Sequence, residues 1–435
     1  MRLELGTFPV REMTFGSETR YRSGVLEIDR ARVLAAVRED ARIRSAELEL
    51  ARPGDSARIW PVRDVIEPRV KVQGPGVIYP GVCGRAVGVG GQGRTHRLAG
   101  VGVVEVSNVN WHDQGGDFVD LFLDMSGPWA DLLPLSELLN VCLVVEPDPA
   151  LSIEAQNDAV HNAALVVSDR LAESTRGLEP HELQVFDFGK QNPGLPGVVY
   201  IWCLHSPQGM SNSLNTFCTA TYGLTRLTPP WVLHPNEVVD GAINGPYRTP
   251  FATSWTVVNN PLFGELCRRH GADLNFLGVI AFRTEWTTQR EKDLMAEQAA
   301  KTAEMLGAQG AVVTWDAGGN EFIEVIHTVR ACERRGIKTV FLTSEDSNEG
   351  GAPTLLEPCP EADAIVTTGF FSTAVMDIGL LPAVQRVIGN PIKVRGRMRD
   401  GAIPEAGEAS TAAALSPPGR YDDHYGFGTL SSFAY

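Results

Sequence analysis

Residues 231–261, WVLHPNEVVDGAINGPYRTPFATSWTVVNNP, gather the side chains best suited to chemistry: His234, Asn236, Glu237, Asp240, Asn244, Thr249, Thr253 and Ser254. A histidine can take or give a proton near neutral pH, and carboxylates and amides can anchor an amine or a carbonyl. The apolar flanks, Trp231, Val232 and Leu233 before and Trp255, Val257 and Val258 after, would pin such a loop to a core. If Pro235 opens a short helix, His234, Glu237 and Asp240 recur at steps of three and drift slowly around one face. His234, Glu237, Asp240 and Asn244 are therefore the candidate catalytic residues, and Asn236, Thr249, Thr253 and Ser254 the candidate substrate contacts. The competing reading is structural: Asn236 and Glu237 cap and charge a helix start while His234 makes one hydrogen bond. On spacing alone the structural reading has the better claim.

The rest of the chain carries, in order, MRLELGTFPVREMTFG, GVLEID, PGDSARIWPVRDVIEPRVKV, LDMSGPWA, RLAESTRGLEP, HPNEVVDGA, NNPLFGELCRRHGADLNFLGVI, GIKTVFLTSE and ADAIVTTG. In these collinear blocks the chain resembles the component B proprotein of the glycine, sarcosine and betaine reductases, the precursor of its alpha and beta subunits, a family related to the D-proline reductase proprotein. The resemblance implies an oxidoreductase that cleaves a carbon–nitrogen bond of a small amine reductively. In that family the precursor cuts itself at an Asn-Cys bond, the cysteine becomes a pyruvoyl group, and its carbonyl takes the amine as a Schiff base. A partner subunit bearing selenocysteine or cysteine then attacks the activated carbon, which implies a hetero-oligomer. A ketone condensed with an amine is a cationic electron sink, which no unmodified side chain supplies.

This sequence departs from the pattern where the pyruvoyl group should arise. By the flanking blocks the cysteine should fall in Ile243 to Val258, and INGPYRTPFATSWTVV contains none. Cys218 lies upstream, in NTFCTATYG, behind Phe217 rather than an asparagine. Thr249, Thr253 and Ser254 are the fallback precursors, since a hydroxyl can in principle undergo the same acyl shift. A pyruvoyl cofactor is thus not expected. Substrate activation would fall to a bound metal or to hydrogen-bond donors around His234, Glu237, Asp240 and Asn244. The opposing reading is a catalytically silent scaffold that positions the active partner.

At 435 residues the chain has room for two or three domains. A net charge of −15 without a basic run argues against nucleic acid and anionic membrane as partners. No apolar run approaches the roughly 20 residues needed to span a bilayer, and the charged start MRLELG is unlike a signal peptide; a cytoplasmic location is expected. The cysteines Cys83, Cys142, Cys203, Cys218, Cys267, Cys332 and Cys359 show no metal-ligand spacing and read mostly as buried small residues.

The expected fold class is α/β: a mostly-β N-terminal domain, then α/β layers with a parallel, Rossmann-like sheet. The expected divisions are 1–140, β-rich; 141–261, an α/β unit holding the central segment; 262–395, Rossmann-like; and 396–435, a linker-like tail whose terminal aromatics tether it to a partner or pack back on the chain. One helix, within DRARVLAAVRED, interrupts the first part. GVGGQG, Gly88 to Gly93, matches GxGxxG but precedes a strand pattern, so it reads as a loop, and no tight NAD or FAD binding is expected. His96, His112, Asp113 and Asp117 read as solvated loop residues rather than metal ligands. In the later part, Met295, Ala299, Thr302 and Leu306 mark the inner face of one helix, between alternating strands. Parallel sheets bind ligands past the carboxyl ends of their strands, which adds Asp316, Asn320, Glu321, Glu345 and Thr368 as substrate-binding candidates. Asp316 and Asn320 serve equally well as caps of the next helix, and Glu345 and Asp346 as surface turn residues.

Overall fold

The alternation in RLELGTFP turns Leu3, Leu5 and Phe8 inward, as a strand with one buried face requires. A computed structural model describes residues 1–79, 82, 88, 90–109, 121–204, 222–223, 229–244, 253–284, 288–315, 321–345, 355, 357–370, 382–389, 393–396, 399–402, 425–427 and 431–433. In it Arg2–Pro9 lies in a four-stranded sheet, antiparallel to Glu182–Asp187 and parallel to Gly93–Ala99, with Arg69–Gln73 at the far edge. A second sheet runs Leu121–Asp124, Ala57–Ile66, Val101–Val106, Leu139–Pro147, Ile43–Ala51. Ala57–Ile66 and Val101–Val106 are buried along their whole length. Their charged residues, Arg58, Arg63, Asp64 and Glu105, must therefore find partners inside the protein. Arg58 does so with two bonds to Asp124, at 2.6 and 2.7 Å.

The expected division at residue 140 falls within a strand, Leu139–Pro147. Leu139–Pro147 pairs with strands on both sides inside the second sheet. The following helix, Ile153–Ala172, packs Val160, Ala164, Val167 and Leu171 into one core with Phe8, Leu26, Val33, Leu98 and Val141. An amphipathic helix must cover the nearest open apolar sheet face, and here that face belongs to the N-terminal strands.

The third sheet holds seven strands in the order Trp231–Leu233, Asn275–Arg283, Gly197–Leu204, Gly310–Trp315, Lys338–Glu345, Ala364–Phe370, Ser431–Phe433. Its five central strands are parallel and the two at the edges antiparallel. Alternate residues of Gly197–Leu204 feed two cores: Val199, Ile201 and Cys203 into one, Tyr200, Trp202 and Leu204 into the other. Helices Gln289–Met305 and Glu321–Arg334 cover the first face. The buried stripe of Gln289–Met305 is Ala296, Ala299, Ala300 and Ala303, one step round from the expected Met295, Ala299, Thr302 and Leu306; methyl side chains let the helix approach closely, and Met295 and Leu306 pack at its border. The fold is mixed α/β with several mixed sheets.

The end of the chain folds back. Arg386–Ile388 pairs with Ala57–Ile66 of the second sheet, and Ser431–Phe433 closes the third. Tyr425 is fully buried and accepts the Trp202 indole N–H at 2.8 Å, and Phe427 stacks on Trp255. Of the two fates open to the terminal aromatics, these two pack on their own chain; Tyr421 and Tyr435 lie outside the described residues.

Candidate functional site

The segment HPNEVVDG forms the short helix Pro235–Asp240, with proline in the first turn and Gly241 in the left-handed conformation at its end, φ 85°. Only glycine fits there, since a Cβ would meet Arg69 Cδ at 2.7 Å. His234 caps the helix: its Nδ1 accepts the amide of Asn236 at 3.1 Å, while Glu237 reaches back to the His234 amide at 2.7 Å. This is a capping box with histidine in the usual serine position. Burial, and then the ammonium group of Met1, push the His234 imidazole down to about 4, so it is neutral at physiological pH. The buried Asn236 donates to the Gly91 carbonyl at 3.1 Å.

Asp240 belongs to a different neighbourhood. Its carboxylate is fully buried, paired with Lys71 at 2.5 Å, and accepts the Gly91 amide at 2.6 Å and the Thr95 hydroxyl. Here the glycine-rich GVGGQG finds its use. A Cβ on Gly90 would lie 2.9 Å from that of Ala242, and Gly91 has φ 100°, so the backbone can reach Asp240 only because these residues are glycine. Gly93 opens the strand Gly93–Ala99. His96, expected on a solvated loop, is instead buried in that strand, with Nδ1 at 3.2 Å from the Thr175 carbonyl and hydroxyl; its neighbours in the alternation carry it to the inner face.

The remaining candidates converge elsewhere, on three side chains that spacing did not single out. Asp64, Glu105 and His161 are fully buried and offer ligand-type atoms all within 4.8 Å of one another. His161 Nδ1 lies 3.0 Å from Glu105 and 4.0 Å from Asp64, while its Nε2 faces the Asn244 amide nitrogen at 2.5 Å. Arg63 holds the other Glu105 oxygen at 3.2 Å and bonds Asn157. Ser254 donates its amide to Asp64 at 2.7 Å and its hydroxyl at 2.5 Å. Burial is the main force on the Asp64 carboxyl and raises it to about 6, with Glu105 adding to the rise and His161 and Ser254 opposing it. A carboxyl at that level can exchange a proton near neutral pH, and the imidazole beside it turns Nδ1 to the two carboxylates and Nε2 to Asn244. The same three donors could also hold a divalent cation, though each already has a protein partner.

Asn244 and Ser254, ten residues apart in the chain, therefore both bond to this cluster. Thr253 spends its hydroxyl on capping helix Ser254–Val258. Thr249, Asp316, Asn320, His112, Asp113 and Asp117 lie outside the described residues, and Glu321 and Glu345 are described in backbone only, at a helix start and a strand end. Thr368 is buried at the carboxyl end of its strand, with Oγ1 at 3.5 Å from the Thr343 carbonyl. Burial drives the thiols of Cys142, Cys267, Cys332 and Cys359 upward, Cys359 to about 11 and Cys332 to about 12, which disfavours a nucleophilic thiolate there.

The sequence did hold a signal for the missed residues. Asp64 and Glu105 are lone acids inside strands that are otherwise mostly apolar, and Asn157, His161 and Ser168 form a polar line on the inner face of an apolar helix. A buried polar residue at such a position must be paired, and groups so paired are where perturbed acids are found.

Fold and site together define a mixed α/β protein with a buried cluster of two carboxyls and an imidazole. The family model for glycine/sarcosine/betaine reductase component B subunits matches residues 1–410, and the chain belongs to that family. It is 34% identical over 406 residues to the sarcosine reductase complex component B subunit alpha of Peptoclostridium acidaminophilum, covering 89% of this chain and 92% of that one. The glycine reductase complex component B subunits alpha and beta of the same organism are 33% identical over 454 residues, covering 100% of both chains. The corresponding protein of Acetoanaerobium sticklandii is 33% identical over 404 residues, 90% of each. No solved structure matches the chain significantly. Among the described residues no helix is long and apolar enough to cross a membrane.

Proposed function

We propose that this chain is a component B-type subunit of a reductase that cleaves a carbon–nitrogen bond in a small amine or related substrate, acting in a hetero-oligomer with a cysteine- or selenocysteine-bearing partner, and that it works without a pyruvoyl group. The family match supports the class of reaction. The observation that carries the rest is the attachment of Asn244 and Ser254 to His161 and Asp64, both within the segment Ile243 to Val258 where the family's self-cleaving cysteine is expected and where this sequence has none.

In this reading Asp64 holds the transferable proton, His161 relays it, and Glu105 with Arg63 fixes the imidazole. Asn244 supplies an amide whose Oδ1 has no partner among the described residues and can accept a hydrogen bond from an amine. His234, Glu237 and Asp240 then shape the backbone that presents Asn244 rather than touching substrate. The five parallel strands fit a Rossmann-like unit, with the partner or substrate approaching their carboxyl ends near Thr368.

The missing cysteine also favours a second reading, a scaffold that only positions the partner. The test is reconstitution of the complex with His161→Ala or Asp64→Asn. Loss of turnover with the complex intact supports catalysis by this subunit, whereas unchanged turnover supports the scaffold.

A further inference from the structure

An open groove of ≈ 640 Å³ lies between the four-stranded sheet and helix Pro261–Arg269, lined by Leu5, Val239, Val258 and Phe263 with Arg97 and Asn259 among its polar groups. Its charges do not balance. Arg69 in the wall is closed by Glu67 at 2.5 Å, and Arg268 at the rim by Glu265 at 2.6 Å. Arg97, half-buried, makes no ion pair among the described residues. Its Nε donates to the Thr7 hydroxyl at 3.1 Å, and its Nη1 reaches Asn259 only at 3.5 Å, the limit of a hydrogen bond. Arg69 and Arg97 share the one buried carboxylate of Glu67, and the other acid acting on Arg97, Glu182, is exposed to solvent and screened, so the buried wall carries one more positive than negative charge in a protein whose net charge is −15.

A half-buried guanidinium without an anion is poorly solvated and offers a planar fork of donors. We propose that this groove binds a small monocarboxylate, its oxygens on the Arg97 guanidinium and its short apolar body against Val258 and Phe263. Charge and shape select this class. One surplus positive charge matches a monoanion; a phosphate dianion would face Glu67 unbalanced; and a carboxylate fits the guanidinium edge in a bidentate fashion. The lining stands apart from Asp64, Glu105 and His161, so this inference is independent of the reaction proposed above.

The test is ligand-observed NMR on the full chain with propionate as probe and propionamide, its neutral isostere, as control. Propionate should bind at least about tenfold more tightly than propionamide. Arg97→Met should remove that preference, with folding checked by thermal melting. Gly264→Trp, at a position on the groove where an added Cβ meets nothing within 4 Å, should block the probe without touching the guanidinium. His161→Ala should leave propionate affinity unchanged, which separates failure here from failure of the catalytic reading. Equal binding of the two probes, or propionate affinity kept within about twofold in either groove variant, overturns the proposal.

Discussion

The amide and hydroxyl of Ser254 both end on the carboxylate of Asp64, 190 residues earlier in the chain. A fully buried acid in the centre of a sheet is thereby tied to the start of helix Ser254–Val258. Ser254→Ala removes the hydroxyl bond and leaves the amide bond. A hydrogen bond to a charged group contributes about 1.5–3 kcal/mol, and that much stability should be lost in urea unfolding at pH 7.5. A loss below about 0.5 kcal/mol would show that the hydroxyl bond is not formed in solution.

The raised carboxyl of Asp64 sets a pH dependence of known sign. Its folded value of about 6 lies above the ordinary 3.8, so the folded state holds the proton more tightly than the unfolded chain. The associated stability is fully present below about pH 4 and is lost as pH rises through 6. A rise of that size corresponds to something on the order of 3 kcal/mol. Asp64→Asn should remove this component of the slope between pH 4 and 6. Parallel stability profiles for wild type and variant over that range would contradict the assignment.

Asp240 is accounted for by structure alone: Lys71, the Gly91 amide and the Thr95 hydroxyl occupy its oxygens. Asp240→Ala strands a buried ammonium group and should cost about 3–5 kcal/mol of folding stability. If the unfolding midpoint moves little while turnover collapses, Asp240 is catalytic after all.

Tyr425 should separate packing from hydrogen bonding. Tyr425→Phe loses the acceptor for the Trp202 indole, about 1 kcal/mol, while Tyr425→Ala also empties a fully buried aromatic site and should cost about 3–5 kcal/mol. Equal, small effects from both variants would mean that the tail does not pack there.

Processing tests the proposal that this chain works without a pyruvoyl group. Self-cleavage needs a side-chain nucleophile directly after the scissile bond, and Asn244 is followed by Gly245. The purified protein should run as one polypeptide of 47.1 kDa, with no carbonyl trapped by borohydride. Two fragments meeting between residues 244 and 254, the second blocked at its amino terminus, would restore the pyruvoyl mechanism.

Most strands and helices were legible in the sequence because each has a local cause: the alternation of Arg2–Pro9, the apolar run of Gly310–Trp315, the apolar spacing of Ile153–Ala172. The collinear blocks likewise carried the family, since they are a property of the string itself. What local pattern could not carry was partnership across the fold. His234, Glu237 and Asp240 share a helix, yet the first two cap it and the third turns to Lys71 and the glycine loop, because a six-residue helix buried on all sides sends each side chain to a different neighbour. Asp64, Glu105 and His161 are 41 and 56 residues apart along the chain, and only the stacking of helix Ile153–Ala172 over two adjacent strands brings them within 4.8 Å. The sequence by itself determined which elements form and that residues 243–258 hold no cysteine. Tertiary structure alone decided which buried charges meet, because a charge removed from water takes the nearest partner in space and not the nearest in the chain.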